Sequence, residues 1–158
     1  MAARKRQRLV AALLGLGLIG GSPAALAAEN VVFVTGAFRR SIAVADLELL
    51  ASTGEARGLI ADVLKIAKQK PEEVSKLLKA ELSIPLLLTS RLLNTRLGEA
   101  LLARVAQIIY PLYTKGAGIP ALRAGVINAL VATDGKLSAI SFLKAYPVDE
   151  MEVSIPAL

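Results

Sequence analysis

Two β-type runs follow one another after residue 30, a third closes the chain, and helical spacing fills the stretch between them. Val31-Val32-Phe33-Val34-Thr35 is β-branched and aromatic, Gly36 interrupts it, and Phe38-Arg39-Arg40-Ser41-Ile42-Ala43-Val44 is a second extended run. Runs of this kind around a short glycine-containing loop predict a β-hairpin. Met151-Glu152-Val153-Ser154-Ile155 alternates apolar and polar residues and stops at Pro156. A hairpin alone is marginal in water, so this last run is expected to join it.

Between these ends the apolar residues recur at helical spacing. Val44 to Ser52 predicts a short helix with Leu47 and Leu50 inward and Gly54 as terminator. Glu55 to Gln69 carries Leu59, Ile60, Val63, Leu64 and Ala67. Pro71 opens another helix, with Glu72 and Glu73 where the dipole favours acids and a core stripe of Val74, Leu77, Leu78 and Leu82. Ser83 and Pro85 restart the pattern for Leu86 to Leu93. Asn94 or Thr95 then caps a helix whose stripe reads Leu97, Leu101, Val105 and Ile108. Ile119 to Val131 is apolar nearly all round, which predicts the central helix of a bundle, because Arg123 and Asn128 near its middle would be penalised in hydrocarbon. Asp134-Gly135 marks a turn, and Leu137 to Tyr146 gives a last helix ended by Pro147.

The first 28 residues follow a different pattern. Arg4, Lys5, Arg6 and Arg8 precede an apolar run from Leu9 to Ile19; Gly20, Gly21, Ser22 and Pro23 end it, and Ala25-Leu26-Ala27 supplies a small-x-small site. A basic start, about a dozen apolar residues and such a site predict a secretory signal peptide cut after Ala27. The core is shorter than the about 20 residues a stable bilayer span needs. An uncut membrane anchor is the alternative. The segment has no adjacent Arg-Arg pair, which favours the general secretion route. Residues 1–27 are therefore expected to be an export signal and residues 28–158 a single helical domain, periplasmic or extracellular.

Removing the signal changes the charge. The chain holds 19 Lys and Arg against 13 Asp and Glu, and four of the basic residues precede Ala28, so the remainder is nearly balanced at about +2. Nothing in that balance implies a nucleic-acid partner. Cys and His are both absent. That removes disulfides, thiolate and imidazole catalysis and His or Cys metal sites. With no Trp, three Tyr and three Phe, the core must be aliphatic and stacking platforms are scarce.

The search for chemistry yields little. No Gly-x-Ser-x-Gly elbow is present, and the glycines at 15, 17, 20 and 21 belong to the export signal. The carboxylate pairs Glu72/Glu73 and Asp149/Glu150 sit in polar stretches and read as solvated. Ser75 and Lys79 lie one helical turn apart, but a lysine would have to be buried to act as a base, and this one stands in charge-dense sequence. Lys65, Lys68, Lys70, Lys76 and Lys79 could touch an anionic membrane, yet Glu72, Glu73 and Glu81 interrupt them and make a mixed solvated surface. Two features stand out. One is the polar junction Arg91 to Glu99 inside aliphatic sequence, and the other is Arg123. Arg91, Thr95, Glu99 and Arg123 could line a pocket for an anionic group. The structural reading is that Thr95 caps a helix, Gly98 allows close packing, and Glu99 pairs with Arg123 or Arg96.

Several ordered segments carry a family resemblance. They are Val34-Thr35-Gly36-Ala37-Phe38, Ser41 to Glu48, Thr53-Gly54-Glu55, Ser90 to Leu102, Ala121-Leu122-Arg123-Ala124, and Phe142-Leu143-Lys144-Ala145-Tyr146-Pro147. Over residues 30 to 155 the chain resembles the domain of unknown function that precedes the catalytic domain in secreted, chiefly cyanobacterial, alpha/beta hydrolases and also occurs alone. The resemblance implies a small exported domain named for the company it keeps. The resemblance implies that the catalytic triad of the longer proteins belongs to their neighbouring domain, and no functional residues transfer from it.

The sequence thus predicts a mainly α, monomeric, compact multi-helix bundle with a small two- or three-stranded sheet from its two ends. The function it predicts is that of a secreted non-catalytic module with no cofactor and no metal. The partner expected is a hydrolase or a cell-envelope protein. The alternative is a domain binding lipid or a small ligand, and hydrolase activity rests on the family label alone.

Overall fold

The computed structural model describes residues 27–154, so the expected export signal lies outside the described residues except for Ala27. The β-branched run folds as β1 (Asn30–Thr35), and a tight turn at Gly36, with φ +58°, returns it antiparallel as β2 (Phe38–Ala43). The terminal run is β6 (Glu150–Ser154), and it pairs parallel with β1. A parallel pair needs a crossover, and here the whole helical body is that crossover. The backbone amides of Glu29 and Asn30 both donate to the carbonyl of Asp149, at 2.8 and 3.0 Å, and fasten the two ends.

The sheet has four strands, one more than the sequence predicts. β4 (Ile109–Pro111) pairs antiparallel with β6, giving the order β2-β1-β6-β4. A second, two-stranded sheet joins β3 (Leu82–Ser83) to β5 (Lys136–Leu137). Strands this short carry no periodicity, and only their tertiary partners define them. The outer strand β2 exposes Arg39 and Arg40, charges that oppose edge-to-edge pairing.

Seven α-helices among the described residues form the body: α1 (Val44–Thr53), α2 (Gly58–Ile66), α3 (Pro71–Lys79), α4 (Leu86–Leu93), α5 (Arg96–Val105), α6 (Gly118–Ala132) and α7 (Ala139–Ala145). As predicted, α6 is central. Gly118, Ala121, Leu122, Gly125, Ala129 and Leu130 are buried along it. Gly125 is required by close approach: a Cβ there would lie 2.8 Å from Cε2 of Phe142 and 3.2 Å from Cδ2 of Tyr146. Those two rings meet edge to face at 5.5 Å and plug the gap between α6 and α7. One core gathers Val31, Leu93, Leu102, Ala121, Leu122, Tyr146 and Met151, and a second gathers Ile42, Leu50, Ile60 and Leu64.

Several expected core positions face outward. Leu77, Leu82, Leu97 and Leu101 are all more than half exposed. On α5 the buried residues are Gly98 and Leu102, one position on from the predicted stripe. The pattern was ambiguous because Leu101 and Leu102 are adjacent, and packing against α4 chose between them. On β6, whose residues alternate apolar and polar, the polar Glu152 is buried.

Candidate functional site

The junction between α4 and α5 is built around Thr95. Its hydroxyl accepts from the amide of Gly98 at 3.1 Å and donates to the carbonyl of Leu92 at 2.7 Å, so it caps one helix while closing the last turn of the other. Gly98 then sits against the α4 backbone, where a Cβ would lie 2.1 Å from the Leu92 carbonyl oxygen. Arg123 reaches across from α6, and its Nη2 donates to the carbonyl of Leu93 at 3.2 Å. A guanidinium at the C-terminal end of α4 satisfies a free carbonyl and opposes the negative end of the helix dipole. Its Nε is buried without a partner among the described residues.

The four predicted site residues therefore do not converge. Thr95 and Arg123 are joined to the end of α4, whereas Arg91 and Glu99 are exposed. Among the described residues no ion pair links Glu99 to Arg96 or Arg123, which corrects that expectation. The reason is local. Arg123 is held by a backbone carbonyl, and Glu99 points to solvent from the turn that Thr95 starts.

What the junction does position is an exposed leucine-rich surface. Thr89 and Leu93 of α4 and Gly98 and Leu102 of α5 face inward, and both helices contact α6. One position before each inward pair, about 100° round the helix, stand Leu88 and Leu92, four residues apart on α4, and Leu97 and Leu101, four apart on α5, at 61, 52, 73 and 57% exposure. Leu87 is exposed beside them, and so are Arg91, Arg96 and Arg104. A signal for this surface was present in the sequence. Successive helical residues are about 100° apart, so Leu86-Leu87-Leu88 cannot all share one buried face. At the near end of α4, Leu86 and Val131 help line a cavity of about 360 Å³ with Pro85 and Leu130.

Two polar arrangements lie elsewhere. Across the β4–β6 pair, the Tyr110 hydroxyl donates to the buried carboxylate of Glu152 at 2.5 Å. That contact and burial both push the Tyr110 phenol above its ordinary pKa. A cavity of about 590 Å³ lies beside α1, α6 and α7, bordered by the ion pair of Lys144 and Glu48 at 2.5 Å, by Asn128 and by Ser141. Three serine hydroxyls have structural partners: Ser75 donates to the carbonyl of Ala51 at 2.9 Å, and Ser138 and Ser141 form a reciprocal capping box on α7.

Compared with known protein families, residues 27–154 match the one described as alpha/beta hydrolase of unknown function (DUF1400). The chain belongs to this family. No curated protein and no solved structure is detectably similar to it. The hydrolase in the family's description stands beside an architecture of another kind. An alpha/beta hydrolase alternates strands with helices and presents its serine on a strand-to-helix elbow with a histidine at hand. This member holds no His, and its described strands form a four-stranded sheet in which only β1 and β6 are parallel, with a separate two-stranded antiparallel sheet.

Proposed function

We propose that this member of the family is an exported, non-catalytic module that works by docking through the outer face of α4 and α5. The exposed leucines of that face carry the reading. Four exposed leucines in two helical rows, with Leu87 exposed beside them, exceed the scattered single apolar residues normal on a surface. Export rests on the basic, apolar and Ala-x-Ala order of residues 1–27.

Two features support the absence of catalysis. No imidazole is available as a general base. Ser75, the serine one turn from a lysine, is buried and bonded to a backbone carbonyl of α1, while Lys79 is exposed.

Two measurements test the reading. Purified protein is expected to show no turnover of p-nitrophenyl esters, and turnover that disappears on mutating one serine would overturn the non-catalytic assignment. The combined variant Leu88→Gln, Leu92→Gln, Leu97→Gln and Leu101→Gln is expected to keep the parent's circular dichroism and to lose association with the cell envelope on fractionation. Unchanged fractionation of the folded variant would end the docking assignment.

A further inference from the structure

Resting on that docking reading, we propose that the surface the α4–α5 face fits is an anionic lipid layer, with its leucines entering the interfacial region and Arg91, Arg96 and Arg104 meeting lipid phosphates. Charge is the first argument. From Leu86 to Val105 the two helices hold three arginines and a single acid, Glu99, and all four are exposed. Arginine stems lie along apolar surface while their planar heads reach phosphate oxygens, so the leucines and arginines can be satisfied together at one depth.

Composition is the second argument. Protein-binding hot spots are rich in Trp, Tyr and Arg and poor in Leu. The α4–α5 segment has no aromatic residue at all. A fluid acyl layer, unlike a protein pocket, takes up flexible leucines without shape matching. A second copy of the chain fits poorly for an electrostatic reason. A two-fold contact would set the same arginines against each other, with one Glu99 per chain to answer them.

Length is the third argument. α4 has eight residues and α5 ten, and no helix among the described residues is long and apolar enough to cross a membrane. These helices can lie along the surface with one side immersed. The lysines of α2 and α3 do not extend the face. Glu72 and Glu73 stand among them, and Lys70 is paired with Glu73 at 3.8 Å.

The test is vesicle flotation with the processed protein secreted by an expressing bacterium. Vesicles of phosphatidylcholine with phosphatidylglycerol are compared with pure phosphatidylcholine, and every variant is compared with the parent in the same background. Binding to the anionic vesicles is expected, with little to the neutral ones. Each arginine near an anionic surface is worth about fivefold in affinity. The triple variant R91Q/R96Q/R104Q should therefore bind roughly a hundredfold more weakly. K65Q/K76Q/K79Q, which removes the same charge elsewhere, should bind within a few-fold of the parent. Equal loss in both triple variants would overturn the proposal, because net charge alone would then explain binding. So would absence of vesicle binding. If the parent still associates with envelopes and that association is destroyed by protease treatment of the envelopes, the occupant is a protein and the docking reading survives without the lipid. If light scattering instead shows a dimer that the four-leucine variant dissociates, the occupant is a second copy.

Discussion

Gly98 lies so close to Leu92 that a Cβ on the glycine would come within 2.1 Å of the leucine's carbonyl oxygen. This contact fixes the rotation of α5 about its axis. With Gly98 turned toward α4, Leu102 is carried into the core and Leu97 and Leu101 are carried out. Gly98→Ala is therefore expected to destabilise the fold by about 1–3 kcal/mol, since backbone rather than a yielding side chain must move. Urea denaturation of the variant against the parent measures it, and an unchanged midpoint would show that α5 can turn freely.

The adjacent leucines of α5 should respond oppositely. Leu102 is 5% exposed and packed in the main core, so Leu102→Ala should cost about 2–5 kcal/mol. Leu101→Ala, at a site 57% exposed, should stay within about 0.5 kcal/mol of the parent. Denaturation of the two single variants side by side reads the difference. Equal costs would place both residues in the core.

Removing the phenol at Tyr110 leaves a buried carboxylate without its donor. Tyr110→Phe should cost about 1–3 kcal/mol, which is the penalty for an unsatisfied buried group. Adding Glu152→Leu should recover part of that loss, because the orphaned acceptor is then gone. A double variant less stable than either single one would show that the pair is not what holds β4 to β6.

High pH should unfold the protein through its tyrosines. Burial raises the Tyr146 phenol, and the contact with Glu152 together with burial raises Tyr110, both above the ordinary value of 10.0. In that range the unfolded chain releases phenolic protons that the fold retains. Stability is then intact below about pH 10 and falls as pH climbs through the raised values. Ultraviolet phenolate absorbance followed alongside circular dichroism should show the exposed Tyr113, whose phenol is also raised by its contact with Glu150, ionising in the native protein and the other two only on unfolding. Ionisation of all three with native dichroism retained would refute this.

Much of the architecture was legible in the sequence. β-Branched runs at both ends, a glycine turn, Pro71 at a helix start and the nearly all-apolar run of α6 each determine local structure through backbone preference or burial, and both act within a few residues. Thr95 was likewise readable as a cap because a hydroxyl three residues before a free amide needs no distant partner. Family membership was readable for the same reason, as an ordered series of short segments. Which leucines are buried was not. Leu101 and Leu102 offer equivalent helical stripes, and the choice came from the backbone of α4 pressed against Gly98. Nor could the strand pattern show that Glu152 would be buried, because its partner Tyr110 lies 42 residues earlier, on a strand of three residues. The candidate site followed the same division. Of the polar residues that drew attention along the chain, Thr95 and Arg123 cap and tie helix ends while Arg91 and Glu99 are exposed. The neighbouring leucines are exposed because α4 and α5 turn Thr89, Leu93, Gly98 and Leu102 inward. Local preference sets where helices begin and end, but the side of a helix that meets water is set by its neighbours.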